Sequence, residues 1–277
     1  MPELPEIIVL SRQMNDEIRG KIIVEVEILQ PKNLNIPVNE FIEEIVDQKI
    51  VSVKPRGKWL RLKLNGEFFL LINLGIGGEL LYFEKGDRRP KEYQFRINFN
   101  DDSGFTLNFS WFGYVHLVKK AKLKEHKMFG ELALSPLDKA FTFEYLKNLI
   151  EGRKGRIKSF LLNQRKISGI GNVYVQDLLF KAMLHPNKKI KTMSNREVKN
   201  LYSSMIEVLT KSIELGGLVY EKDFYGNRGG FSAEEFLVGY KTGKPCPVCS
   251  TTIEKIRVGN TASYICPTCQ REDRVPI

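Results

Sequence analysis

All four cysteines of the 277-residue chain stand near its C-terminal end: Cys246, Cys249, Cys266 and Cys269. They form two C-x-x-C pairs separated by 16 residues. Each short pair lets two thiolates reach one ion from a tight turn, and the residues between can form a hairpin. The spacing therefore predicts a four-thiolate site for one structural zinc ion. Four protein ligands fill the tetrahedron and leave no open position for catalysis. Disulfides are the competing reading, but the chain shows no secretory signal and no further cysteine.

The start Met1-Pro2-Glu3-Leu4-Pro5-Glu6 offers a different chemistry. A small second residue permits removal of Met1, after which Pro2 presents a secondary α-amine. An α-amine has a pKa well below that of lysine, so more of it is free base near neutral pH. Attack on a sugar C1′ yields an iminium ion, a cationic electron sink of the kind used in covalent amine catalysis. The competing reading is an ordinary helix start, with Pro and Glu placed for capping and dipole reasons.

A third candidate is the turn Gly169-Ile170-Gly171, which joins two helical stretches, one over Ile157 to Gln164 and one from Asn172 towards Ala182. Such a turn offers backbone N–H groups at a helix start, where a phosphate can be held. It lies inside the most basic part of the chain. Between Glu151 and Asn200 stand 12 Lys/Arg against Glu151, Asp177 and Glu197, so this stretch carries +9 of the net +10. A polyanion would be drawn there, although a solvated basic face is the plainer explanation of a charge cluster alone. No apolar run approaches the length needed to span a bilayer, and the chain reads as soluble and cytoplasmic.

These groups need elements to position them. Apolar residues at Ile7, Leu10, Met14 and Ile18 give a helical period over 5–19 that ends at Gly20. From residue 21 to about 119 the pattern turns to strands. Leu60, Leu62 and Leu64 alternate with Arg61 and Lys63, and Asn100 to Gly104 turns one alternating strand into the next. The reading is an α+β multidomain chain: an N-terminal β-sandwich with an N-terminal helix, a helical domain, and a C-terminal zinc finger. The expected boundaries are a sandwich over 1–125, a linker over 126–140, the helical domain over 141–235 and the zinc module over 236–277.

Four separated motifs occur in order: Pro2 to Glu6, Arg56-Gly57-Lys58, Gly169-Ile170-Gly171-Asn172-Val173-Tyr174, and the Cys-Pro-x-Cys-Gln ending at Gln270. Together they closely resemble the formamidopyrimidine-DNA glycosylase and endonuclease VIII family, over essentially the whole chain. The resemblance implies a helix–two-turn–helix domain and a monomer acting on double-stranded DNA that contains damaged bases. It implies base excision with Pro2 as nucleophile through a Schiff base, followed by β-elimination at the abasic site. Glu3 inherits the general acid/base role and Glu6 that of a second glutamate near the lesion. Lys58 matches a strand-borne lysine that contacts phosphate and assists elimination. Asn172 matches a phosphate-holding asparagine, and Lys91, Arg153 and Lys158 fall among the DNA-binding positions. Lys91 stands where histidine is usual.

Some positions depart from the family pattern. The void left by a flipped nucleotide would be filled by Ile76 in place of a methionine and by Phe112, which is retained. Ser110 replaces the arginine that holds the orphan base, and Trp111 beside it has two readings, base stacking or a place in the core. Thr261 stands where an arginine promotes the second, δ-elimination. A non-catalytic zinc-ribbon DNA-binding protein would account for the cysteines and the charge but not for Pro2, Glu3 and Lys58. A family member retuned to other lesions or to abasic sites is the nearer alternative, and the damaged base stays open.

Overall fold

The computed structural model describes residues 1–87 and 92–272. The chain divides into two compact units, one of Met1–Glu131 with Leu215–Gly230, the other of Leu132–Glu214 with Phe231–Ile277.

The first unit opens with helix α1, Leu4–Ile18. A reciprocal capping box between Glu3 and Glu6 and a proline in the first turn begin the helix. This satisfies amide groups that a helix start leaves without partners. Leu4, Ile7, Leu10, Met14 and Ile18 are all buried, as the 3.6-residue period requires. A second helix, α2, spans Val38–Ile45. The unit has eight strands among the described residues: β1 Ile23–Ile28, β2 Ile50–Arg56, β3 Trp59–Leu64, β4 Phe68–Asn73, β5 Glu79–Phe83, β6 Phe95–Phe99, β7 Gly104–Asn108 and β8 Tyr114–Lys119. They form two antiparallel four-stranded sheets, β1-β6-β7-β5 and β2-β3-β4-β8. In β3 the side chains of Leu60, Leu62 and Leu64 are buried while Arg61 and Lys63 are not. One apolar cluster draws on both sheets, α1 and α2. The predicted β6–β7 hairpin is present, with Asp102 in the left-handed region (φ 65°).

Leu215–Gly230 belongs to this unit, although the sequence reading placed it with the helices. The reason is Phe224. Its ring is fully buried in the sandwich core, and its carbonyl accepts from Tyr82 N–H at 2.8 Å. Gln13 of α1 clamps the same segment, donating to Asp223 Oδ2 and accepting from Phe224 N–H, both at 2.9 Å.

The second unit contains α3 Phe143–Ile150, α4 Ile157–Leu161, α5 Tyr174–Lys181 and α6 Asn195–Glu214, then a hairpin of β9 Glu254–Val258 and β10 Thr261–Ile265. Helix α4 stops at Leu161, short of the Gln164 expected from sequence. Gln164 instead holds the following turn, donating to Leu162 O and Ile170 O and accepting from Gly169 N–H at 2.8 Å. The cysteine module shares a core with the helices: Cys246 and Cys266 are buried with Phe180, Val238, Ile253 and Tyr264. Buried Asp177 of α5 accepts from the amides of Leu237, Val238 and Gly239 at 2.8, 3.0 and 2.9 Å. Among the described residues no helix is long and apolar enough to cross a membrane.

Candidate active site and nucleic-acid elements

The N-terminal residue lies at the start of α1, where the capping box fixes the direction in which the chain enters the helix. Pro2, Glu3 and Glu6 are all buried. The N-terminal amine of Met1 lies 3.2 Å from Glu221 Oε1, and the Met1 sulfur accepts from Lys58 Nζ at 3.9 Å. Lys58 is half-buried, and its position in the turn between β2 and β3 brings it to the chain start. The structure thus gathers Pro2, Glu3, Glu6 and Lys58 around the chain start, together with Glu221, to which the sequence reading assigned no site role.

Glu6 is held by backbone amides on both of its oxygens. Its Oε2 accepts from Glu3 N–H at 2.8 Å and its Oε1 from Leu218 N–H at 3.1 Å. Both oxygens are engaged by backbone amides, so Glu6 ties the helix start to the 215–230 segment. Gly217, at φ 89°, makes the close approach possible: a Cβ there would lie 3.1 Å from Glu6 Oε1.

A second pair of loops on this unit presents the expected void-filling residues. Ile76 and Trp111 exchange backbone hydrogen bonds at 2.8 and 3.2 Å. Gly75 is required there, because a Cβ would meet Trp111 O at 2.0 Å. The bridge leaves Ile76, Trp111 and Phe112 exposed, at 46, 67 and 67%. Trp111 is therefore not a core residue. Ser110 Oγ donates to Gly77 O at 3.1 Å, which engages its hydroxyl inside the loop pair.

On the second unit, Asn172 is half-buried at the entry to α5. Gln176 one turn on donates to its carbonyl at 2.8 Å and its Oδ1 at 3.2 Å. Arg153 is half-buried, with Nε donating to Leu149 O. Lys158 corrects the sequence reading. It is 1% exposed, and its Nζ donates to Ala262 O and to Ser263 Oγ, the latter at 2.7 Å. Burial pushes its ammonium down to about 8. This lysine fastens the β9–β10 hairpin to α4 instead of presenting charge to a ligand. Its lone cationic letter in a basic run gave no sign of that. Lys91 lies outside the described residues.

The four cysteine sulfurs lie within 4.8 Å of one another. Three of the pairs are 3.4, 3.5 and 3.9 Å apart, close to the edge of about 3.8 Å expected of a tetrahedron with metal–sulfur bonds near 2.3 Å. Val248 N–H and Cys269 N–H each donate to a cysteine sulfur at 3.4 Å. The donor set fits a tetrahedral, thiolate-preferring ion.

Comparison with known proteins agrees with this arrangement. Residues 1–110 match the formamidopyrimidine-DNA glycosylase N-terminal domain, 132–222 its H2TH domain, and 243–271 the zinc finger found in FPG and IleRS. A formamidopyrimidine-DNA glycosylase of Pelotomaculum thermopropionicum is 37% identical over 276 residues, covering 98% of this chain and 99% of that protein. The wild-type Lactococcus lactis Fpg (MutM) in complex with N7-benzyl-Fapy-dG DNA superposes with a TM-score of 0.88 at 27% identity, covering 98 and 100% of the two chains. The L. lactis Fpg bound to abasic-site DNA gives 0.86 at 26% identity, with 97 and 99% covered. With all three family domains matched in order and 37% identity across 98% of its length, the chain belongs to the formamidopyrimidine-DNA glycosylase family.

Proposed function

We propose that this protein is a base-excision repair glycosylase that removes damaged bases from duplex DNA and then opens the abasic site as a lyase. The observation that carries the reading is the N-terminus itself. The chain start is held among Glu3, Glu221 and Lys58 at the mouth of α1, where a nucleophilic amine needs partners for its proton. With Met1 in place the Pro2 nitrogen is a peptide nitrogen and cannot attack. Removal of Met1 turns it into a secondary amine.

The residues divide the work as follows. The Pro2 nitrogen forms a bond to C1′ as the damaged base leaves, and the sugar ring opens to give an iminium. Glu3 serves proton transfer to and from the sugar, in a buried setting that strengthens each charge it meets. Glu6 holds the helix start and the Leu218 loop. Lys58 supplies positive charge for a phosphate and for elimination. Ile76 and Phe112 enter the space left by the extruded nucleotide, and Trp111 adds a third exposed apolar surface for stacking. Asn172 and Arg153 hold phosphates, and we keep Lys91 among the DNA-binding positions. Cys246, Cys249, Cys266 and Cys269 hold one zinc ion, which supplies folding energy to the module and no chemistry.

The test is borohydride trapping on duplexes carrying an abasic site or one of a panel of lesions. A covalent adduct is expected from the Met1-free protein, and none from Pro2→Gly or from protein that retains Met1. No adduct on any lesion would favour a non-catalytic DNA-binding protein.

A further inference from the structure

Three carboxylates surround the chain start, and one of them, Glu221, lies directly against the amine. Glu3 and Glu6 cap each other across the first turn of α1, and Glu6 is held by two backbone amides. Glu221 comes from the loop after α6, and the partner of its carboxylate is the N-terminal amine at 3.2 Å. It is 9% exposed. Its position is fixed on both sides. Its own N–H donates to Leu218 O at 3.0 Å, and its neighbour Lys222 grips both oxygens of Glu79 at 2.8 and 2.9 Å. The backbone that carries this carboxylate is thus tied down independently of the chain start.

Loss of Met1 moves the amine one residue along the chain. Backbone bond lengths keep the new Pro2 nitrogen within about 7 Å of Glu221 Oε1, a range that includes a direct contact and one bridging water. We infer that Glu221 is the positioning residue for the Pro2 amine, holding it by charge and hydrogen bond in the orientation from which it attacks. This rests on the assignment of Pro2 as nucleophile. Burial raises the Glu221 carboxyl above its ordinary range, with Glu3 and Glu79 acting in the same sense and the amine opposing them. Glu3, Glu79 and the N-terminus are the charged groups acting on it.

An abasic-site duplex isolates this role, since it carries no base to be read. Met1-free wild type, Glu221→Gln and Glu221→Asp are compared by single-turnover borohydride trapping from pH 5 to 9, with duplex affinity measured alongside. Glu221→Gln is expected to trap about tenfold more slowly at neutral pH, with a displaced pH profile and duplex affinity within about twofold of wild type, which also certifies the fold. Glu221→Asp, which keeps the charge, is expected to recover most of the rate. A Gln variant whose rate and profile coincide with wild type overturns the inference, as does an Asp variant no faster than an impaired Gln variant. If wild type itself gives no adduct at Pro2, the nucleophile assignment falls first and this inference with it.

Discussion

At the scale of single residues, the first unit holds a pair of histidines whose proton is placed by geometry. His126 Nδ1 accepts from Phe129 N–H at 3.0 Å, so a neutral His126 carries its proton on Nε2 and donates it to His116 Nδ1 at 2.8 Å. Trp59 packs against both rings. Burial pushes the His116 imidazole down to about 4, helped by the neighbouring His126, which burial also lowers. A histidine depressed in the folded state takes up a proton on unfolding between these values and about 6.5. Its stabilisation is therefore complete above pH 6.5 and lost as pH falls towards 4. The stability difference between pH 7 and pH 4.5, from urea titrations followed by tryptophan fluorescence, should be about 2 kcal/mol smaller in His116→Gln than in wild type. Equal differences in the two proteins would remove the pair from the pH dependence.

At the scale of elements, the β9–β10 hairpin is held by side chains of the helix–two-turn–helix motif. Gln176 of α5 accepts from Tyr264 N–H at 3.1 Å, and its amide nitrogen lies 3.3 Å from Ala262 O. Lys158 of α4 adds its two bonds to Ala262 and Ser263, and Ser263 is 1% exposed. Replacing Lys158 by Met keeps the apolar stem but leaves buried acceptors with fewer donors, at a cost of about 2 kcal/mol. Amide exchange in 254–265 should quicken in Lys158→Met while α3 keeps its protection. Unchanged exchange in the hairpin would mean that Gln176 alone holds it. The element scale is also where the sequence was hardest to read. The helix period over 5–19, the Leu60–Leu64 alternation and the hairpin at 100–104 are local patterns and appear as expected. Past the end of α4 at Leu161, Gln164 reaches forward to Ile170, a contact no period reports.

At the scale of the whole molecule, the charge count overstates what a polyanion would meet. Of the 12 cations between Glu151 and Asn200, Lys158 is buried, Lys188 pairs with Glu197 at 3.0 Å and Lys181 with Glu207 at 2.7 Å. Each phosphate neutralised on duplex DNA contributes about −0.9 to the slope of log affinity on log salt. Twelve such contacts would give about −11, whereas the remaining cations, not all of which can reach one duplex, should give roughly −4 to −7. Fluorescence anisotropy on an abasic-site duplex between 50 and 200 mM salt would measure this. A slope near −11 would show that the paired lysines, or cations outside this stretch such as Lys58, also meet phosphates.

Local order and residue type determined much about this protein. The four thiolates at two short spacings, the helix that begins at the proline-rich start, the alternating strands and the basic stretch are properties of neighbouring residues, and neighbours are what a sequence displays. Pro2, Glu3, Lys58 and Asn172 stand out in the sequence because each sits inside a short motif. The tertiary structure alone decided which charges act where. It turned Lys158 inward, engaged both oxygens of Glu6 with amides, and left Trp111 exposed beside Ile76. It also set Glu221 against an amine 220 residues away in the chain. The chemistry of a buried charge depends on the partners that folding brings to it, and folding brought these from the far end of the sequence.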